Sequence, residues 1–225
     1  MAERPAALAP QSLQEAILVH VRQMLLEGIL APGEKIDVDA IARDFGISPP
    51  PVREALKQLQ AERVVSWAPR KGFRVAKLSF ADFSELQHIT TVLEAEAIRL
   101  GVPRLTDADI AQMTSQRERM EQARSAQDMW TQIVAHREMH FVPYIASGMS
   151  RLVEEIQRFW EHTDHYRVLY LYKGDADQEV SLHQHVDIIE ACEQRDVASV
   201  IALMDEHRTF AMTHMRTGME FEERL

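Results

Sequence analysis

Helical periodicity without strand-like alternation runs through residues 80–225, and it constrains the fold of this part of the chain more than any other feature. Such a sequence can bury its apolar faces only by packing helix against helix. We expect six helices joined by short connections, which make an antiparallel bundle whose core can hold a ligand or a metal ion. Their predicted bounds are 80–101, 106–124, 127–147, 149–172, 176–193 and 196–216.

The first 79 residues follow a different plan. A helix over 11–27 ends at Gly28, and a short helix in "VDAIARDFG" ends at Gly46. A third helix opens with the prolines of "GISPPPVREAL" and runs to about Arg63, and the strand-like runs "VVSW" and "FRVA" are joined by the turn "APRKG". The inward face of the first helix is predicted to carry Leu13, Ile17, Val21, Met24 and Leu25.

This order of elements is the plan of a winged helix-turn-helix, a DNA-binding fold. The sequence therefore predicts a mainly α protein with a winged helix-turn-helix at residues 1–78. An all-α antiparallel helical bundle follows at residues 79–225.

The third helix is the expected recognition helix, since the second helix of a helix-turn-helix enters the major groove. Ser48 can cap it, Pro49 can occupy its first position, and the prolines restrict the conformations of the helix entry. Arg53, one turn in, can reach a guanine edge or a phosphate. The predicted DNA-binding residues, which include two at the tip of the wing, are Ser48, Pro49, Arg53, Lys57, Arg70 and Lys71.

The formal net charge of −10 is unevenly distributed. Residues 1–79 hold 11 Lys and Arg against 9 Asp and Glu, a net of +2, whereas residues 80–225 hold 14 against 26, a net of −12. An acidic second part is compatible with DNA binding by the first, because only the face near the phosphates needs positive charge.

Four of the ten histidines lie on the apolar faces of their predicted helices, which are expected to face the core. His136 and His140 are spaced i, i+4 on one helix, while His185 and His207 lie on the apolar stripes of two later helices. Burying these imidazoles without partners would cost about 1–3 kcal/mol each, and a shared cation would give each of them a bond. Neutral imidazole suits Zn, Ni, Cu or Fe. The alternative is that each is an ordinary core or surface histidine.

Residues 25–75 resemble the winged-helix domain of the GntR family of bacterial transcription regulators. The matching segments are "LLEGILAPGEKI", "IARDFGIS" and "PVREALKQLQAERVVSWAPRKGFRV". The resemblance implies a dimer that binds a palindromic double-stranded operator, and Arg53 matches the arginine of the family's recognition helix. Two positions depart from the pattern: Pro49 replaces an arginine, and Arg63 replaces a glycine at the helix end.

The second part is similar to the FCD ligand-sensing domain of the FadR-like branch of that family. The similarity rests on "HFVPYIASGMSRL" from His140 and "HVDIIEACEQRDVASVIALMDEH" from His185 to His207. It implies a divalent metal site formed by His136, His140, His185 and His207. His136 stands where the family usually has aspartate, a change that favours Zn or Ni. The resemblance also implies a small, carboxylate-bearing effector.

Three further residues are candidates for the effector pocket. Thr90 occupies a position that often holds an arginine in the family, and His162 and Arg167 could line the pocket. For the last two, a solvated helix face is the alternative. Pro143 is expected to kink its helix.

Other features bear on location and on rival functions. "MAERPAALAP" carries an acid and no long apolar run, and Cys192 has no cysteine partner in this chain, so we expect a cytoplasmic protein that does not bind a membrane. A metal-free effector pocket or a pure dimerisation module remains an alternative. A metal-dependent hydrolase is a remote one, because Glu138 in "HREMH" lies on the wrong side of the helix to serve as a base. We therefore expect a regulator and not an enzyme.

Overall fold

The structure, a computed structural model, describes residues 12–77, 79–171 and 175–222; for Leu26 and for residues 164–171, 175–179 and 217–222 it describes the backbone alone. The chain forms two compact units, Met1–Lys77 and Leu78–Leu225. Each has a hydrophobic core of its own.

Unit 1 contains three helices and a two-stranded antiparallel hairpin. The helices are α1 (Leu13–Leu26), α2 (Val38–Asp44) and α3 (Pro49–Ala61), and the strands are β1 (Val65–Ala68) and β2 (Gly72–Val75). The expected winged helix-turn-helix is therefore confirmed. One expectation is wrong: Leu13 is 46% exposed, because it is the first residue of α1 and lies beyond the end of the core.

The end of α3 takes a backbone conformation that favours glycine. Arg63 has φ = 59°, in the left-handed region. Its N–H donates to Gln60 O (3.0 Å) and the N–H of Val64 donates to Leu59 O (2.9 Å), which together form a Schellman motif. The buried side chains of Leu59 and Val64 flank this turn, so packing holds an arginine in a conformation that costs about 1–2 kcal/mol.

Unit 2 is a bundle of six helices with a short 3-10 turn after the first, as the periodicity predicts. The described helices are α4 (Phe80–Gly101), α5 (Asp107–Ser125), α6 (Met129–Ala146), α7 (Ser150–Leu171), α8 (Asp175–Glu193) and α9 (Val197–Glu222). The last one continues six residues past its predicted end at residue 216. Helix α4 packs against α6, α7 and α9, and α8 packs against α5 and α9. The three helices that carry the four histidines, α6, α8 and α9, all contribute residues to the core of unit 2.

The backbones of α4 and α6 approach each other closely at Gly101. A Cβ atom added to Gly101 would lie 1.8 Å from the carbonyl oxygen of Pro143, so only glycine fits there. Pro143 is buried inside α6, where it supplies no N–H to that helix. The close approach fixes the carboxyl-terminal half of α6, one turn beyond His140.

Candidate metal centre and nucleic-acid surface

Four buried imidazoles meet in the core of unit 2. One potential ligand atom from each of His136, His140, His185 and His207 can be chosen so that all of these atoms lie within 4.8 Å of one another. The residues are between 2% and 9% exposed, and their ring centroids are separated by 4.5–5.9 Å. The i, i+4 spacing places two of the rings on one face of α6, while α8 and α9 contribute one each. The structure thus brings together the four histidines that the sequence singled out.

Hydrogen bonds orient two of these rings. Nδ1 of His207 lies 2.8 Å from Oε1 of Gln184, so Nδ1 carries the proton and Nε2 keeps its lone pair. Nε2 of His140 lies 3.2 Å from Nε2 of His185. Nδ1 of His185 is buried and has no hydrogen-bond partner among the described groups.

These donors fit a divalent transition metal. Two nitrogens bound to one metal ion at about 2.0–2.1 Å, with an angle of about 90–110° at the metal, lie about 2.9–3.4 Å apart, a range that includes the 3.2 Å between the Nε2 atoms of His140 and His185. Without a cation, one of those two nitrogens must donate a proton to the other. A cation would bind both lone pairs.

Burial keeps the imidazole of His185 neutral. Burial lowers the pKa of His185 well below its ordinary value, and His207, His136 and Arg117 lower it further. A neutral imidazole has the free lone pair that a metal ligand needs.

A cavity of about 70 Å³ adjoins the four rings. Its wall includes a buried ion pair in which Arg208 Nη2 donates to Glu94 Oε2 (2.5 Å), while Trp160 Nε1 donates to Glu94 Oε1 (2.6 Å). Burial alone would lower the pKa of Arg208, but the charges of Glu94 and Tyr144 and the hydrogen bonds to Glu94 and Asp205 together outweigh it and raise the pKa. Gln87 and Gln132 also line the cavity.

The predicted effector residues are placed differently. Thr90 is buried, but its hydroxyl donates to Leu86 O (2.7 Å) on its own helix, and it does not line the cavity. His162 does not line it either, and the side chain of Arg167 lies outside the described residues. Sequence reasoning missed Glu94 and Arg208. Glu94 could have been found by the same test as the histidines, since it is a polar residue on the inward stripe of α4.

The rival hydrolase arrangement finds no support in the geometry. Glu138 is exposed and pairs with Arg119 (3.0 Å), away from the imidazoles that flank it in sequence. Helix periodicity accounts for this, because residue 138 is about 160° from residues 136 and 140 around the axis.

In unit 1 the recognition helix begins with three consecutive prolines, Pro49 to Pro51. Ser48 takes the capping position, but its side chain makes no capping hydrogen bond, contrary to expectation. The reason is chemical: a cap accepts from the second or third N–H of a helix, and prolines occupy both positions.

Of the six predicted DNA-contacting residues of unit 1, Pro49 is half-buried and the other five are exposed. Arg53 projects from the second turn of α3 and makes no ion pair with Glu54 or Glu62, because Glu54 pairs with Lys57 (2.8 Å) and Glu62 with Arg22 (2.6 Å). In the hairpin, Arg70 and Lys71 lie at the turn between β1 and β2, and both are exposed.

Among the described helices, none combines the length and apolar character that crossing a bilayer requires.

Two protein families match the two units. The family described as "Bacterial regulatory proteins, gntR family" matches residues 13–75, and the FCD domain matches residues 85–210. Members of these families are transcriptional regulators and not enzymes.

Similar proteins span most of the chain. The HTH-type transcriptional regulator McbR of Escherichia coli (strain K12) is 30% identical over 167 residues, which cover 74% of this chain and 74% of McbR. The HTH-type transcriptional repressor GlaR of the same strain is 27% identical over 192 residues, covering 81% and 86%. A solved structure of E. coli McbR/YncC has a TM-score of 0.81 at 26% identity, covering 92% of this chain and 98% of that one. The chain is therefore a DNA-binding transcription regulator that belongs to the GntR family, in its FadR-like branch with an FCD domain.

Proposed function

We propose that unit 2 binds one divalent transition metal, Zn or Ni, through His136, His140, His185 and His207, and that this centre binds a small carboxylate effector. Unit 1 would bind a palindromic operator, with the protein acting as a homodimer in the cytoplasm. The observation that carries the proposal is the convergence of four buried imidazole nitrogens within 4.8 Å.

The ligand set argues for the choice of metal. Four neutral nitrogen donors and no carboxylate among them favour Zn or Ni over Mg, Ca or Mn, which prefer oxygen. The hydrogen bond from His207 to Gln184 supports the assignment, because metal-bound histidines commonly donate their second N–H to a neighbouring acceptor.

The charge at the centre supports an anionic effector. Glu94 and Arg208 neutralise each other, so the cation would keep its positive charge amid uncharged ligands. When bound, the metal supplies a Lewis-acidic charge that attracts a carboxylate. The chain's own residues orient the ligands and enclose the cavity.

The rigid helix entry and the exposed Arg53 support operator binding by unit 1. A dimer reads two half-sites about 34 Å apart when they lie on one face of the duplex. The effector acts only if it binds one arrangement of the dimer more tightly than the other.

A metal-free effector pocket is the second candidate. The specific observation in its favour is Arg208, a cationic side chain on the cavity wall that could bind a carboxylate without a metal.

Metal stoichiometry tests the proposal. We expect the wild-type protein, loaded with Zn(II) or Ni(II) and dialysed, to keep about one ion per chain, and His140→Ala and His207→Ala to lose it. His183→Ala is the matched control, because His183 is exposed on α8, two residues from His185. Elemental analysis measures the content. Full occupancy in both cluster variants, or none in the wild type, would refute the metal site, and carboxylate binding without metal would then favour the second candidate.

A further inference from the structure

The metal cavity adjoins a second, larger space. A groove of about 550 Å³ runs between α4 and α9. It shares three lining residues with the cavity beside the histidines, namely Gln87, Arg208 and Met212. These side chains therefore form the wall between an inner chamber and an outer groove.

The two spaces differ in what they can hold. Ligand pockets typically measure about 300–1,000 Å³, so the inner chamber of about 70 Å³ suits one small group such as a carboxylate. The groove lies within the usual range. A molecule longer than a few atoms that is anchored in the chamber exceeds its volume, and the groove on the other side of the shared side chains offers room for the remainder.

Arg208 faces both spaces and has two unequal ion pairs. Glu94, on the inner side, is 3% exposed and is also held by Trp160, so this pair fixes the guanidinium. Asp205, on the outer side, contacts Nη1 at 2.6 Å but is 56% exposed. Exposed ion pairs contribute little to stability, so a ligand carboxylate can replace Asp205 while Arg208 stays in position.

The groove is cationic within an acidic unit. Besides Arg208 it is lined by Arg216, whose guanidinium lies 5.8 Å from the centroid of the Phe80 ring. Among the described residues that line the groove, Asp205 is the one that carries a carboxylate. This local charge contrasts with the net charge of −12 over residues 80–225.

We infer that the effector is an elongated acid with two anionic groups: one binds at the histidine centre, and the other extends into the α4–α9 groove and binds the outer edge of Arg208 in place of Asp205. Arg208 is then the residue that determines specificity for a diacid. The inference rests on the proposed carboxylate site and adds the class of ligand.

Matched pairs of acids test it. Protein loaded with Zn(II) is titrated calorimetrically with valerate and glutarate, and with hexanoate and adipate, which differ only in the second carboxylate. We expect the wild type to bind each diacid at least about tenfold more tightly than its monoacid. Arg208→Lys keeps a charge beside Glu94 but loses the forked edge, so the diacid advantage should fall to about threefold or less. Asp205→Asn should strengthen diacid binding alone.

The control is Arg158→Lys, the same substitution in an exposed i, i+3 pair on α7, which should change nothing. Equal binding of monoacid and diacid by the wild type would overturn the inference while leaving the carboxylate site intact. Binding of neither acid would overturn the proposed function as well. If circular dichroism shows that Arg208→Lys does not fold, Asp205→Asn decides, and no gain in diacid affinity then contradicts the inference.

Discussion

A single backbone angle at Arg63 has a consequence for stability. Glycine adopts φ near +60° without the steric clash that a side chain meets there. We expect Arg63→Gly to raise the free energy of unfolding of unit 1 by about 1 kcal/mol, since the relief of the clash exceeds the extra flexibility of the unfolded chain. Denaturant titration followed by circular dichroism measures the change. Arg63→Ala keeps the Cβ and should give no gain; an equal gain from alanine would assign the effect to charge instead.

Cys192 is the one cysteine of the chain, and it is completely buried. Burial raises the pKa of its thiol to about 12, so at pH 8 only about one thiol in ten thousand is ionised. We expect no alkylation by iodoacetamide at pH 8 in the native protein and rapid alkylation in guanidinium, as mass spectrometry would show. Rapid native labelling would contradict the burial.

The raised pKa of this thiol also determines how the stability of the fold changes with pH. The pKa of the thiol in the folded protein lies above that of a solvent-exposed thiol, so the fold favours the protonated form. Its contribution to stability is complete below about pH 9 and is lost as the pH rises toward 12.

At the scale of single residues, the sequence pointed to the four histidines of the candidate metal centre but not to the ion pair that lines the adjoining cavity. The four histidines were identifiable because each interrupts an apolar helical stripe. The Glu94–Arg208 pair was not, because 114 positions separate its members and only the packing of α4 against α9 joins them. The missing cap at Ser48 could have been predicted, since the two prolines that follow Pro49 are visible in the sequence.

Among the elements, the contact between α4 and α6 tolerates the least change. A methyl group at Gly101 would overlap the backbone of Pro143 and force the two helices apart. We expect Gly101→Ala to destabilise unit 2 by about 3 kcal/mol or more, although alanine favours helix. Thermal unfolding measures it, with Arg99→Ala, an exposed change two residues away, as control. A variant as stable as the wild type would show that the helices can separate without cost.

The sequence predicted where each helix lies more accurately than where it ends. Period-3.6 patterns locate the six helices of unit 2 because each buries one face against its neighbours. The amino-terminal ends of α4 and α5 carry Ser79–Asp82 and Thr106–Asp109 capping boxes, which are local signals. The last turns of α9 carry no such signal, and its predicted end is six residues short.

For the whole molecule, operator binding is the property to test. We expect Arg53→Ala to weaken binding to DNA selected by the wild-type protein from a random library by about tenfold or more, with helix content unchanged. Arg99→Ala, on an exposed face of unit 2, is the control. Fluorescence anisotropy measures affinity. Equal affinities for the Arg53 variant and the wild type would exclude Arg53 from the interface.

The three prolines at the start of α3 have a further consequence for how this helix end would contact the phosphates of DNA. The amino-terminal end of a helix usually offers free backbone N–H groups to a phosphate, but Pro49, Pro50 and Pro51 have none to offer. The first three residues of α3 therefore offer no N–H to a phosphate, and we expect this end of the helix to contact the sugar–phosphate chain through side chains, such as the Ser48 hydroxyl and neighbouring cations. A change of DNA specificity at this end of α3 would then need only substitutions of surface side chains, because the three prolines contribute no backbone donor that the new site would have to match.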